Sequence, residues 1–317
     1  MVQYMEQTSY TMDDIIEAPP WFTRAVETDH REHTIQVCGA PIHFLHWPNK
    51  SAPGLLFVHG GGAHAHWWDF IAPLFMEHYN IAAIDLSGMG DSGHRDQYSG
   101  DVYAEELMAV IKYAELGPNP VIIGHSFGGM ATLKAGVNYP DQLGGIMMVD
   151  TAVFPPGFNK NNDLSVSPFK ERKIYPDRAT ALSRFRLVPP QSCHNRYMLD
   201  YIAEHSITRL DGGWSWKFDV RFLQKTIFDQ LATEIKNLKC RAVVMYGERS
   251  ILFGKFMLGQ IHKLYPDNVP FIMIEDAQHH VFLDQPLRFA QQVHDQLLTW
   301  EHGQGLSRWI KETGELT

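Results

Sequence analysis

Three short stretches of the 317-residue chain hold residue types and spacings suited to acyl chemistry. In VIIGHSFGGM, Val121 to Met130, Ser126 stands between Gly124 and Gly128, where branched apolar residues give way to the helix-like run MATLKAGVNY. A chain that passes from strand to helix in one residue strains its apex, and such strain persists mainly where function demands it. The positions two before and two after the apex must then be tiny, which gives the nucleophile-elbow pattern G-x-S-x-G. After LLFVH comes HGGGAHAHWW, His59 to Trp68. Glycines placed directly after a strand let backbone N–H groups face a site unobstructed. That suits a site for a developing oxyanion, with Gly61 and Phe127 as the donors. One such donor is typically worth about 10²–10³ in rate. After PFIMIE comes DAQHH, with His279 and His280 in place to act as a base toward the serine. Serine, histidine and backbone donors together describe attack on a carbonyl through a covalent acyl intermediate.

These residues need a scaffold. LLFVH, IAAID, PVIIGH, GIMMVD, RAVVMYG and PFIMIE are short apolar runs bounded by turn residues, and they read as buried parallel strands. TIQVC and PIHFLHW read as an opening antiparallel pair around Gly39-Ala40. Helical patterns near 66–78, 101–116, 127–139, 252–265 and 284–301 alternate with the strands. The alternation predicts an α/β architecture, a parallel sheet with helices on both faces. Ligands in such sheets bind beyond the carboxyl ends of the strands, where all three stretches fall. Between Asp150 and Arg241 lie about 90 residues with no clear strand, too long for a structureless loop. They hold PPGFNKNND, helical patterns near 177–187 and 195–208, and DGGWSWKFDVRF. A helical insertion roofing the sheet's carboxyl edge is the expectation.

Hydrophobic residues at 44% and charged residues at 20% describe an ordinary globule. The 27 basic and 36 acidic residues give a net charge of −9, spread without blocks, which argues against nucleic acid and anionic membrane as partners. Cys38, Cys193 and Cys240 form no disulfide framework or metal knuckle. The polar, acidic start MVQYMEQTSYTMDD lacks a signal peptide's basic and apolar regions, and no apolar run has bilayer length. A cytoplasmic location is expected.

HGGGAHAHWW, DLSGMGDSG, GHSFGG and AQHHVFLDQP together resemble the α/β-hydrolase fold superfamily, in its cap-bearing branch of esterases, epoxide hydrolases, dehalogenases and C–C bond hydrolases. The resemblance spans about residues 32 to 301. It implies a mostly parallel eight-stranded sheet, a core of 1–150 and 233–317, and a helical cap over 151–232. Relatives that act on epoxides and haloalkanes carry aspartate at the apex, whereas Ser126 points to acyl-enzymes. The family's acidic residue and proline after the base, here Asp284-Gln285-Pro286, select His279 over His280. The triad acid is less direct. Its usual position in G-x-x-D is occupied by serine in Gly247-Glu248-Arg249-Ser250. Inactivity, Glu248, or an acid at the end of the preceding strand are the alternatives. Asp150 is the expected acid and Glu248 the fallback.

The resulting expectation is a serine hydrolase for a carboxylic ester or related acyl compound. Its substrate would be a small molecule with an apolar acyl or alcohol portion, turned over by a monomer or homodimer without cofactor or metal. C–C cleavage of keto-acids by the same residues, or a non-catalytic ligand-binding role, are the alternatives. Three further patterns count for less. Gly88-Met89-Gly90-Asp91-Ser92-Gly93 spells G-x-G-x-x-G, but HRDQYSGD follows where a dinucleotide site needs a helix. His64, His66 and Asp69 hint at a metal, yet no further ligand completes the spacing, and a structural role is expected. Five arginines between Arg172 and Arg196 read as a solvated face.

Overall fold

The computed structural model describes residues 17–151, 153, 171–227 and 231–300. The acidic N-terminal stretch and PPGFNKNND lie outside the described residues. Eight strands form one sheet: β1 (Arg31–Val37), β2 (Ala40–Trp47), β3 (Gly54–Val58), β4 (Asn80–Ile84), β5 (Val121–His125), β6 (Gly145–Val149), β7 (Ala242–Gly247) and β8 (Phe271–Ile274), in the order β1-β2-β4-β3-β5-β6-β7-β8. From β4 to β8 every pairing is parallel, and β2 runs antiparallel to both β1 and β4. The β1–β2 turn is Cys38-Gly39, both at positive φ, and Ala40 already pairs with Val37. Period-two alternation in the buried strands sorts their side chains into two cores. Leu55, Phe57, Ile81, Ile123, Met147 and Met245 face one. Leu56, Val58, Ile84, Ile122, Met148 and Val244 face the other.

Among the described residues, ten helices surround this sheet: α1 (Pro20–Val26), α2 (Gly100–Tyr113), α3 (Phe127–Asn138), α4 (Arg178–Leu182), α5 (Arg196–His205), α6 (Phe222–Lys225), α7 (Leu231–Glu234), α8 (Lys255–His262), α9 (Val281–Asp284) and α10 (Pro286–Thr299). The apolar stripe of α10, Phe289, Val293 and Leu297, packs into the first core, and that of α2, Tyr103, Leu107 and Val110, into the second. Ser99 caps α2 by accepting from Val102 N at 3.3 Å, and Asp177 caps α4 by accepting from Thr180 N at 2.7 Å. The helix expected over 66–78 is instead two 3₁₀ turns, Ala65–Trp68 and Ala72–Phe75. Pro73 has no N–H to continue a helix through that stretch. The region read as strandless carries a hairpin, Ile207–Leu210 against Gly213–Trp216. Asp211-Gly212 at its turn is an Asp-Gly hairpin signal that the helical reading overlooked. After Gly88 and Gly90 no helix opens until Gly100, so the dinucleotide pattern lacks the helix it needs. Among the described residues no helix is long and apolar enough to cross a membrane.

Candidate active site

β5 ends at His125, α3 begins at Phe127, and Ser126 between them has φ 52° and ψ −117°. The left-handed apex is strained for a residue with a side chain. Backbone bonds hold it on both sides. Ser126 N donates to Val149 O at 2.9 Å and Gly129 N donates to Ser126 O at 3.0 Å, while Thr151 Oγ1 donates to the same carbonyl at 3.1 Å. The flanking glycines have no room for a methyl. At Gly124 a Cβ would overlap Thr132 Oγ1 and come within 2.6 Å of Gly128 O. At Gly128 it would overlap His59 O and come within 2.9 Å of Val58 O. Gly128→Ala is therefore expected to destabilise the fold by about 1–3 kcal/mol through overpacking. Pushing α3 away from β3 shifts Ser126, and a displacement of about 1 Å at a reacting atom costs roughly 10² in rate. Urea denaturation and steady-state kinetics on one preparation check both effects.

The glycine loop after β3 lies against this turn. A Cβ at Gly60 would be 3.4 Å from Ser126 Cβ, and one at Gly61 would be 3.5 Å from Phe127 Cβ. Among the described residues, no hydrogen bond occupies the backbone N–H of Gly61 or Phe127. Phe127 is the first residue of α3, where helical N–H groups lack an intrahelical partner. Phe222 of α6 covers both positions. Its ring tip would meet a Gly61 Cβ at 3.0 Å, and its ring sits edge-on to Phe127 with centroids 5.4 Å apart. No local pattern marked Phe222, because it reaches the loop from about 160 residues away in sequence.

His279 follows β8, and its Nδ1 lies 2.8 Å from Asp150 Oδ1. Asp150 is the residue after β6, at φ 47° with its side chain fully buried. Ser250, standing where the resembled pattern has its acid, donates Oγ–H to Asp150 Oδ1 at 2.6 Å. Gly247 N donates to Oδ2 at 2.9 Å. Glu248 is exposed, and its carboxylate accepts from Asp276 N at 3.0 Å. The structure thus brings His279 together with Asp150 and keeps Glu248 apart from it. His125 Nε2 donates to the carbonyl of His279 at 3.0 Å. The imidazoles of His125, His279 and His280 cluster with centroids 4.8 to 5.3 Å apart.

A strap from the insertion clamps this histidine loop. Gln191 accepts from His280 N at 2.8 Å and donates to Asp284 Oδ2 at 3.1 Å. Asn195 Nδ2 donates to Leu283 O at 2.7 Å. Burial pushes the Asp284 carboxyl up to about 6, against the opposing bonds from Gln278 N and Gln191. As with Phe222, the strap residues are separated from their partners by some 90 residues, which a local pattern does not encode.

Residues 55–292 match the alpha/beta hydrolase family. An esterase of Mycobacterium tuberculosis is 27% identical over 262 residues, covering 79% of this chain and 84% of that protein. A pimeloyl-[acyl-carrier protein] methyl ester esterase of Aeromonas hydrophila is 21% identical over 260 residues, covering 75% of this chain and 93% of that protein. Among solved structures, an E-2-(acetamidomethylene)succinate hydrolase superposes with a TM-score of 0.71 at 17% identity, covering 84% of this chain and 98% of that one. At that identity the superposition speaks to the fold.

Proposed function

The chain belongs to the alpha/beta hydrolase family and is a hydrolase, and from that premise we propose that it is a serine esterase working through an acyl-enzyme. The observation that carries the proposal is the Asp150–His279 bond at 2.8 Å, formed at the same sheet edge as the strained Ser126 apex. A carboxylate on Nδ1 fixes the tautomer with that nitrogen protonated and leaves Nε2 as a base. In the proposed reaction Ser126 Oγ attacks the ester carbonyl while His279 Nε2 takes the hydroxyl proton. Charge that develops on the carbonyl oxygen meets the N–H groups of Gly61 and Phe127. The tetrahedral species expels the alcohol, which receives its proton from His279. Water then attacks the acyl group, giving a proton to His279, and His279 returns it to Ser126 Oγ as the acid leaves.

Residues 151–232 act as the cap in this reading, and Phe222 presents an apolar surface beside the oxyanion donors, in keeping with a small substrate bearing an apolar acyl or alcohol part. The three cysteines are free thiols, in keeping with a cytoplasmic enzyme. The acyl chemistry needs no metal or cofactor. A fluorophosphonate probe tests the reading: one adduct at Ser126 is expected in the wild type and none in Ser126→Ala. Labelling elsewhere, or undiminished ester turnover by Ser126→Ala, would overturn it. A dienoic keto-acid turned over in preference to p-nitrophenyl esters would replace ester cleavage with C–C cleavage by the same residues.

A further inference from the structure

His66 and Asp69, set aside for want of a third ligand, meet that ligand across the junction between sheet and insertion. His205, the last residue of α5, stacks on His66 with centroids 4.3 Å apart. One nitrogen or oxygen from each of His66, Asp69 and His205 lies within 4.8 Å of the others. We propose that His66, Asp69 and His205 form a binding site for a divalent transition metal of the zinc type, which pins α5 to the turn after β3.

Hydrogen bonding prepares both rings for this role. His66 Nδ1 is 2.7 Å from Asp69 Oδ2, and His205 Nδ1 donates to Tyr201 O at 2.9 Å. A metal-bound histidine commonly anchors one nitrogen on a carbonyl in this way, which leaves Nε2 of His205, without a hydrogen-bond partner among the described residues, for the ion. Nε2 of His66 points away from Asp69, so His66 binds through Nδ1, the ion replacing the proton now shared with Oδ2. Asp69 supplies the second, independent sign. It is 2% exposed, Tyr201 donates to its Oδ2 at 2.6 Å, and its Oδ1 is buried with no hydrogen-bond partner. A buried carboxylate oxygen without a donor is costly unless something positive meets it. Lys217, whose charge reaches both rings, is itself held by Asp91 at 2.6 Å.

Two imidazoles and a carboxylate suit zinc in a tetrahedral site with one open position. Ligand bonds of about 2.0–2.2 Å set ligand atoms roughly 3.4 Å apart, so the three must draw together by about 1 Å. His205 is half-buried at a helix end and supplies that movement by turning out of its stack. The ligands sit about 140 residues apart in sequence, so the ion would couple the insertion to the core.

The full chain, stripped with EDTA and desalted, is titrated with ZnCl2 by calorimetry, and its thermal unfolding is followed in parallel. One Zn²⁺ per chain and a raised Tm are expected. His205→Gln and Asp69→Asn should each weaken binding at least about tenfold and abolish the Tm rise. His205→Gln changes a half-buried side chain and keeps the proposal testable if Asp69→Asn fails to fold. Unchanged affinity in His205→Gln, or no binding by the wild type, overturns the site. So does binding that survives in His205→Gln but is lost in His280→Asn, which would put the ion on the His125–His279–His280 cluster.

Discussion

Asp150→Asn lowers kcat on a short acyl ester by about 10⁴ with the fold retained, whereas Glu248→Gln stays close to wild type. The magnitude follows from losing the tautomer rather than the shape. Asp150 Oδ1 can only accept, so it holds a proton on His279 Nδ1 and leaves Nε2 bare, the nitrogen that takes the Ser126 proton in the proposed reaction. An asparagine in the same rotamer can turn its amide N–H toward Nδ1 and favour the opposite tautomer, in which Nε2 carries the proton and cannot take another. The local bonds favour that amide orientation, because Gly247 N, 2.9 Å away, can only donate and keeps the amide oxygen on its side, whereas Ser250 Oγ, 2.6 Å from the atom that faces His279, can turn to accept. The surrounding donors thus make Asn a poor replacement, while its matching size leaves the buried space filled. Glu248 is a control of the same charge: it is exposed and bonded to Asp276 N. Steady-state kinetics and circular dichroism on both variants decide the matter. Near-wild-type turnover by Asp150→Asn beside a collapse in Glu248→Gln would move the acid to the loop after β7.

The route to Asp150 shows what the sequence makes legible. The apolar runs gave every strand of the parallel part to within a residue or two, because a strand buried on both faces needs continuous apolar residues and is cut off by turn residues. The elbow could be read because its sterics are local: four residues decide whether Gly124 and Gly128 fit. Ser250 was visible as a departure from the resembled pattern, but its bond to Asp150 was not, since that depends on β6 and β7 lying side by side. The 3₁₀ turns at 65–75 were missed because apolar spacing resembles a helix until the missing N–H of Pro73 is counted. Phe222, Gln191 and His205 were beyond reach for another reason. Each meets a segment far away in sequence, and that contact exists only once the chain is folded.

The largest stability effect is expected at Asp85, just past β4. Asp85→Asn should cost about 3–5 kcal/mol, the range for breaking one side of a buried charge pair. The carboxylate is fully buried and joins three segments: Oδ2 meets His43 Nδ1 at 2.8 Å and accepts from Asp91 N at 2.9 Å, and Oδ1 accepts from Ala65 N at 2.6 Å. The amide of asparagine can satisfy the donors on one side only and offers no charge to His43. Burial alone would raise the Asp85 pKa, but the bond and charge of His43, with His59 and His64, hold it below its ordinary 3.8. Burial likewise opposes the charge on His43, yet Asp85, with Asp91 and Glu32, holds its pKa above 6.5. A depressed acid contributes stability that is full above its unfolded value and lost as pH falls through the folded one. A raised histidine contributes stability that is full below its unfolded value and lost as pH rises through the folded one. Both contributions are therefore complete between 3.8 and 6.5. Urea denaturation of wild type and Asp85→Asn should show its largest gap near about pH 6, narrowing as pH rises to 9 and His43 loses its proton. A gap that stays constant over that range would mean that Asp85 stabilises the β4 end through its bonds to Ala65 and Asp91 alone, with no share from His43.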